Sequence, residues 1–177
     1  MAYGSKDHAR QTDKLRTDVD GLRIKLAYVC DQKTTNTGAG NAVINAWTTR
    51  ALNTVLRDPF DLVHSISSNV VTLHGGYTYK ISVSAPFTDT QETMLRLWNV
   101  TYNTLEQQGQ SFHFDNNTSG LATLVAIVEP TREMSYRVDY YAKKTGVNSL
   151  GKPANISGYN EIYTVMEIQR LTGLKPQ

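Results

Sequence analysis

Tyr77-Thr78-Tyr79-Lys80-Ile81-Ser82-Val83-Ser84-Ala85-Pro86 is the clearest strand pattern in this chain. Its apolar residues fall at every second position, and polar residues occupy the positions between them. Successive side chains of a β-strand point to opposite faces of a sheet, so this period of two predicts a strand with one buried and one solvated face. Gly75 and Gly76 mark a turn before the strand, and Pro86 is expected to end it because proline has no N–H to donate.

Strand patterns continue on both sides of this stretch, with short turns between them. They cover residues 22–30, Trp47–Val55, Val70–Leu73, Met94–Val100, Asn103–Phe114, Leu121–Val128, residues 133–140 and Glu161–Leu171. Asn103–Phe114 is the weakest and is expected to be an edge strand, whereas Leu121–Val128 is apolar on both faces and is expected to be central. About eight or nine strands without helical patterns between them predict an all-β fold, an antiparallel jelly-roll β-sandwich.

The N-terminal residues follow a different pattern. Thr12 is expected to cap a short helix that Gly21 ends, and Leu15, Val19 and Leu22 fall at i, i+4 and i+7 on one face of it. A helix of about two turns is marginal in water and needs a partner. We therefore divide the chain into an attachment arm, residues 1–21, and a jelly-roll trimerisation domain, residues 22–177.

Composition excludes several classes of protein. The chain has 177 residues and a net charge of +2 without a basic stripe, so no nucleic-acid partner is expected. No stretch approaches the roughly 20 apolar residues of a membrane helix, and the polar N-terminus lacks a signal segment, so we expect folding in a cytoplasm without membrane insertion. Cys30 is the single cysteine and is expected to be a small buried hydrophobic residue.

No catalytic or metal-binding motif stands out. The four histidines, His8, His64, His74 and His113, lack the spacing of metal ligands, and Asp115–Thr118 lacks the spaced carboxylates of a calcium loop. The acidic residues are scattered along solvated strand faces. The sequence therefore predicts no catalytic residues, no cofactor and no metal site.

Apolar residues on both faces of two strands predict self-association. In a two-layer sandwich one face of each strand meets the core, so a second apolar face on Leu121–Val128 or Glu161–Leu171 is explained by a neighbouring subunit. The alternative is that loops or the arm cover that face. The residues expected at a trimer interface are Tyr28, Leu124, Ala126, Val128, Tyr163 and Val165.

Aromatic residues fall into two groups. Tyr77, Tyr79, Tyr136 and Tyr140 lie on predicted inward faces and are expected in the core. Those near loops are candidates to stack on a sugar or on a partner surface, the alternative being packing or a subunit contact. Together with one loop asparagine, the candidate ligand residues are Tyr102, Phe112, Phe114, Asn116 and Tyr159.

Several segments, in their order along the chain, resemble a known family. They are Leu26 to Asp31, Trp47 to Thr54, Ser65 to Asn69 leading into the tyrosine strand, Ala85-Pro86, Arg96 to Thr101 and Glu161 to Ile168. Over residues 22–172 the chain resembles the complement-globular-head and tumour-necrosis-factor-like jelly rolls of bacteriophage structural proteins. The resemblance implies a ten-stranded jelly roll, a trimer about a three-fold axis and a role on the virion surface without catalysis. The chain departs from the family pattern at His74-Gly75-Gly76, where a single glycine is expected. The arm has no counterpart in that family.

These observations lead to one functional prediction and two alternatives. The prediction is a trimeric capsid decoration or head-fibre protein, assembled in the host cytoplasm and docked on the capsid through residues 1–21. The first alternative is the receptor-binding head of a tail fibre or spike, recognising host surface carbohydrate or protein through loops Thr34–Asn41, Asp115–Gly120 and Lys143–Asn160. The second is a glycan-cleaving enzyme, which would need two carboxylates about 5 to 9.5 Å apart.

Overall fold

A computed structural model describes residues 9–15, 24–113 and 118–171. The described strands are β1 Lys25–Lys33, β2 Ala46–Thr49, β3 Thr54–Arg57, β4 Val63–Ser67, β5 Val70–Leu73, β6 Thr78–Thr88, β7 Thr93–Asn99, β8 Thr104–Phe112, β9 Ser119–Val128, β10 Met134–Ala142 and β11 Glu161–Leu171. Ten of them form two five-stranded sheets, sheet I in the order β3-β1-β11-β6-β9 and sheet II in the order β4-β5-β10-β7-β8. The predicted antiparallel sandwich is therefore confirmed.

The core lies between the two sheets and is built from alternate residues of their strands. Ile81 and Val83 of β6 face Leu95 and Leu97 of β7, and all four are buried. Tyr79, Tyr136 and Tyr140 are buried as predicted. Tyr77 is not: it precedes β6, is 38% exposed, and its ring lies 4.4 Å from the Arg170 guanidinium, because pairing with β11 begins only at Thr78.

Two further predictions fail at the ends and edges of strands. Strand β6 does not end at Pro86 but continues to Thr88, because the ladder with β11 ends at Ser84 and only β9 pairs with the last residues. A proline is tolerated where one neighbouring strand is missing. Strand β9 is not central either, since it forms the edge of sheet I, whereas β8 forms an edge of sheet II as predicted.

Strand β1 presents its smaller apolar residues to the core. Ala27 and Val29 are fully buried, whereas Leu26 and Tyr28 lie half-buried on the outside of sheet I. Cys30 is buried as well, and a bulge between Cys30 and Gln32 interrupts the alternation after it. Burial raises the pKa of the Cys30 thiol, which agrees with the inert hydrophobic role predicted for it.

The described part of the arm is a helix over residues 9–15, all of them exposed. Thr12 lies inside this helix, so the prediction that Thr12 caps it is wrong. Leu15 is 64% exposed, whereas Val19, Leu22 and the predicted end at Gly21 lie outside the described residues. Within the described part of the chain, no helix has the length and hydropathy required to cross a bilayer.

The sandwich has two distinct ends. Lys25 at the start of β1 pairs with Arg170, and Thr78 at the start of β6 pairs with Leu171, so the arm enters at the end where β11 finishes; we call this the arm end. The other end, called the loop end, gathers residues 34–45, 89–92 and 143–160. Hydrogen bonds from Ala39 N to Gly151 O and from Lys144 N to Thr90 O connect these loops. The 11 residues of β6 separate the two ends by roughly 33 Å.

Candidate subunit interface and loop end

The outer face of sheet I is the candidate subunit interface. Directly paired residues of antiparallel strands lie side by side on one face, so the register defines rows across this surface. One row runs through Tyr28, Glu167, Ser82 and Val125, and the next runs through Leu26, Gln169, Lys80 and Ile127. The middle of the face is therefore polar, and its two sides are apolar or aromatic.

The apolar side at the sheet edge consists of Leu121, Val125 and Ile127, which we call the edge stripe. Their side chains point away from the core and are 53%, 56% and 54% exposed. They alternate with the buried residues of β9, so the strand is apolar on both faces as the sequence indicates. Exposed apolar residues are unremarkable singly, but three on one face of the same edge strand mark an interaction surface.

The structure corrects which residues face this surface. Leu124, Ala126 and Val128 were predicted at the interface, but they are buried in the core of the single chain. The prediction that both faces of β9 are apolar was correct, but the inward and outward residues were exchanged. A shift of one residue along a strand turns every side chain to the other face.

Three more predicted interface residues lie on β1 and β11. Tyr28 and Val165 lie half-buried on the outer face of sheet I, where a neighbouring subunit can reach them. Tyr163 is 6% exposed, and its hydroxyl donates to the Thr37 carbonyl at 2.7 Å. Tyr163 therefore supports the loop end of its own chain instead of facing a partner.

The far side of the face, opposite the edge stripe, combines apolar and charged groups. The Tyr28 hydroxyl is hydrogen-bonded to Glu167, and this carboxylate raises the pKa of Tyr28, while Arg57 lies near enough to lower it partly. Leu26 and Val165 lie beside Tyr28 in the neighbouring rows. This side offers an aromatic ring and two aliphatic chains against which an apolar edge from another copy can pack.

Strands β8 and β9 lie against each other and close the sandwich at the same edge. Gly109 makes this possible, because an added β-carbon there would lie 2.7 Å from the Thr123 carbonyl oxygen. Leu105 of β8 is 51% exposed and pairs with Trp98 of β7 in sheet II.

At the loop end, Glu161 holds two loops together. Its carboxylate accepts hydrogen bonds from the backbone N–H groups of Asn36, Ala154 and Asn155, at 3.2, 3.0 and 2.9 Å. The bonds from Ala154 and Asn155 contribute most to lowering the pKa of Glu161 below its usual 4.5. The result is a loop end fixed by a charged acceptor at the first residue of β11.

A buried arginine also anchors the loop over residues 143–160. Arg50 is 1% exposed; its Nε donates to Thr164 Oγ1 at 2.8 Å, and its Nη2 donates to the Leu150 carbonyl at 2.7 Å. Its guanidinium lies 5.6 Å from the Tyr140 ring centroid. Burial lowers the pKa of Arg50 to about 10, so the group remains a cation at neutral pH. Arg50 thus ties the loop over residues 143–160 to strand β11.

The candidate ligand residues divide between the two ends. Tyr159 is 71% exposed at the loop end, and Phe112 lies half-buried at the same end with its ring 6.4 Å from Phe87. Phe112 also borders an open hollow of about 370 Å³ with Glu92 and Tyr141. Tyr102 is 50% exposed in the turn between β7 and β8 at the arm end, so the structure does not bring it together with the others.

Phe114 and Asn116, the remaining two candidates, lie outside the described residues. The convergence of Thr34–Asn41 and Lys143–Asn160, which the sequence named as candidate ligand loops, is supported by the hydrogen bonds that join them. The described end of the third loop also lies here, since Asp89 N donates to Thr118 O.

The outer face of sheet II carries an aromatic cluster that the sequence did not predict. The Arg96 guanidinium lies 4.2 Å from the ring centroids of both Trp47 and Trp98. Arg96 and Arg137 also form ion pairs with the buried carboxylate of Asp139, at 2.9 and 3.0 Å. Arg96 and Trp98 stand at i and i+2 of β7 and so lie on the same face of the strand, a spacing that could have indicated the contact.

Comparisons with known proteins identify the fold. No family model and no curated protein matches the chain. The globular domain of zebrafish complement 1qA matches with a TM-score of 0.53 and 14% identity, over 83% of this chain and 96% of that domain. Murine APRIL at pH 5.0 matches with a TM-score of 0.55 and 6% identity, over 84% of this chain and 100% of that one. The chain therefore has the jelly-roll fold of complement-C1q-like and tumour-necrosis-factor-like domains, as the sequence predicted.

Proposed function

We propose that this chain is a trimeric, non-catalytic protein of the bacteriophage virion surface, a capsid decoration or head-fibre protein docked through its N-terminal arm. The observation that carries the proposal is the edge stripe of Leu121, Val125 and Ile127 on an otherwise self-sufficient sandwich. A second copy of the chain is its occupant, because the opposite side of the same face offers Tyr28, Leu26 and Val165.

The placement of the edge stripe favours a ring over a two-fold dimer. An edge that packs against the opposite side of the next copy makes a head-to-tail contact, in which each copy uses two different surfaces. Such contacts form a closed ring when the rotation that relates one copy to the next is a whole fraction of a full turn. The resemblance to trimeric virion proteins sets the number at three, and the fold shared with C1q-like and tumour-necrosis-factor-like domains is compatible with it.

The arm supports docking on a larger particle. Residues 9–15 are helical and exposed, and Leu15 offers an apolar side chain that is 64% exposed. A helix this short gains little stability alone and is stabilised by a partner surface. Three arms leaving one end of a ring attach together, which raises the strength of attachment far above that of one arm.

Two measurements test this function. Sedimentation velocity of the purified full chain should give the mass of three copies. Gold-labelled antibodies against the chain should decorate the surface of bacteriophage particles grown with its gene and leave particles from a gene deletion unlabelled. A monomer in solution overturns the trimer, and unlabelled intact particles overturn the virion role.

A receptor-binding head is a second candidate, favoured by the position of the loop end. The loops lie roughly 33 Å from the arm end, and their hydrogen bonds hold Tyr159 exposed on a fixed surface. A ligand such as a host surface glycan would stack on this ring. Screening the trimer on a glycan array tests this candidate: binding lost in Tyr159→Ala but kept in Tyr102→Ala supports it, and absence of binding favours decoration alone.

A further inference from the structure

Two histidines and a glutamate converge at the arm end of sheet II, away from the edge stripe and from the loop end. His64 lies in β4, His74 follows β5, and Glu133 precedes β10, which are three neighbouring strands of the sheet. One ligand atom from each of the three side chains lies within 4.8 Å of the others. His64 Nδ1 is 3.4 Å from Glu133 Oε1, and the two imidazole rings stand nearly perpendicular at 81°.

Specific local features bring these side chains together. Residues 68 and 69 form a two-residue turn with positive φ, which folds β4 back on β5. The register shifts between Val63 and Ser65, so His64 is the extra residue of a β-bulge, and a bulge redirects the side chain it carries. The ten-residue spacing of the two histidines in the sequence gave no sign of this contact.

The turn His74-Gly75-Gly76, where the sequence departs from the family pattern, positions the glutamate. An added β-carbon at Gly75 would lie 2.3 Å from the Cα of Arg132, so only glycine allows the segment before β10 to approach so closely. Gly76 N donates to the Pro130 carbonyl at 2.7 Å, and the Tyr79 hydroxyl donates to the His74 carbonyl at 3.0 Å. These contacts fix the main chain on both sides of the cluster.

One atom of the cluster lacks a partner. His74 Nε2 is buried and makes no hydrogen bond, although a buried polar atom without a partner costs about 1–3 kcal/mol. Its nearest charged neighbour is Asp61 Oδ2 at 3.7 Å, beyond hydrogen-bonding distance. Asp61 is held nearby because the Asp58 carboxylate accepts from the N–H groups of Leu62 and Val63, at 2.9 and 2.8 Å.

We propose that His64, His74 and Glu133 bind one zinc ion, with Asp61 in reach of the fourth position. Imidazole nitrogens and carboxylate oxygens are the ligands that zinc takes in four-coordinate sites. Tetrahedral coordination at about 2.0–2.2 Å requires ligand atoms about 3.4 Å apart. His64 Nδ1 and Glu133 Oε1 already have that spacing, at 3.4 Å, and both side chains are about half-exposed.

The charges of the site fit a divalent cation. Two neutral imidazoles and two carboxylates balance the charge of Zn²⁺. Two arginines lie near the cluster, and the ring contacts of both are with tyrosines. Arg170 borders the same hollow as His74 and Glu133, and its guanidinium lies over the Tyr77 ring at 4.4 Å, while the guanidinium of Arg132, next to Glu133, lies over the Tyr102 ring at 5.6 Å. A zinc ion here would join β4, β5 and the segment before β10, and would stabilise the free edge of sheet II close to where the arm enters.

Calorimetric titration of zinc chloride into the tag-free full chain tests the site. We expect one zinc per chain and a rise in Tm of roughly 5–10 °C when free zinc is about 100 times Kd. His64→Gln and Glu133→Gln should each weaken binding at least about tenfold. His113→Gln is the matched control, because His113 pairs with Glu92 at 3.6 Å outside the cluster and should leave binding unchanged. Magnesium and calcium chloride should give no binding, since neither ion favours imidazole.

The outcomes are decisive because His64 is exposed and its replacement leaves the core intact. Absence of zinc binding by the folded wild-type chain overturns the proposal. Binding that His64→Gln leaves unchanged, with its melting curve still cooperative, also overturns it. All the ligands belong to one chain, so the result does not depend on the proposed trimer or on the virion role.

Discussion

Replacing the edge stripe with threonines, as Leu121→Thr, Val125→Thr and Ile127→Thr together, should convert the proposed trimer to a monomer. Full burial of such a side chain is worth about 1.5–3 kcal/mol, and these three are already close to half-buried. The remaining gain is therefore about 1 kcal/mol for each side chain, or about 3 kcal/mol per interface. Over the three interfaces of a closed trimer the loss is about 9 kcal/mol, which lowers the association constant on the order of a millionfold.

Threonine keeps the strand itself intact, because it favours extended structure and the three side chains do not contribute to the core. The assay is sedimentation velocity of wild type and variant at a concentration on the order of 10 μM. A matched control replaces two exposed apolar residues of the loop end, Val147→Thr and Ile156→Thr, which are 77% and 59% exposed. The reasoning is refuted if the triple variant remains a trimer, or if the control dissociates to the same extent.

Three further substitutions test the interior and the loop end. Phe87→Ala should cost about 3–5 kcal/mol, because the ring is 1% exposed, and guanidinium denaturation would measure this. Asp139→Asn should cost about 3–5 kcal/mol by leaving Arg96 without its buried partner, whereas Glu129→Gln on the surface should leave the denaturation midpoint unchanged. The pKa of Glu161 is lowered in the folded chain, so its carboxylate stabilises the fold above pH 4.5 and this stabilisation is lost as the pH falls through the lowered pKa. The Tm of Glu161→Gln should therefore lie below that of wild type at neutral pH, and the two Tm values should converge in acid.

Strict alternation made the central strands predictable. In β6 over Tyr79–Ala85 and in β10 over Met134–Tyr140, polar and apolar residues alternate at every position, so the pattern gives both the strand and its inward face. The same rule fails for β9, where Val125 and Leu124 are equally apolar and the sequence cannot say which one faces the core. It fails for β1 too, because Ala27 is small and Tyr28 is large, yet Ala27 is the buried one.

The candidate sites depend on contacts distant in sequence, which no local pattern encodes. Glu161 meets Asn36 across 125 residues, and only the jelly-roll topology brings the two loops together. The histidine cluster required a bulge at His64 and a glycine contact at Gly75, neither of which has a periodic signature. The sequence showed that the turn at His74-Gly75-Gly76 departs from the family pattern. It did not show that Gly75 lets the segment before β10 approach His74.

The pairing of Lys25 with Arg170 brings the start of β1 and the end of β11 to the same pole of the sandwich, the arm end. A protein or peptide fused before Lys25 or after Leu171 would therefore emerge beside the arm and leave Tyr159 at the opposite pole unobstructed. Foreign sequences grafted between residues 143 and 160 would instead point away from whatever surface the arm holds. This geometry makes the domain suitable as a display scaffold, with anchoring at one pole and presentation at the other.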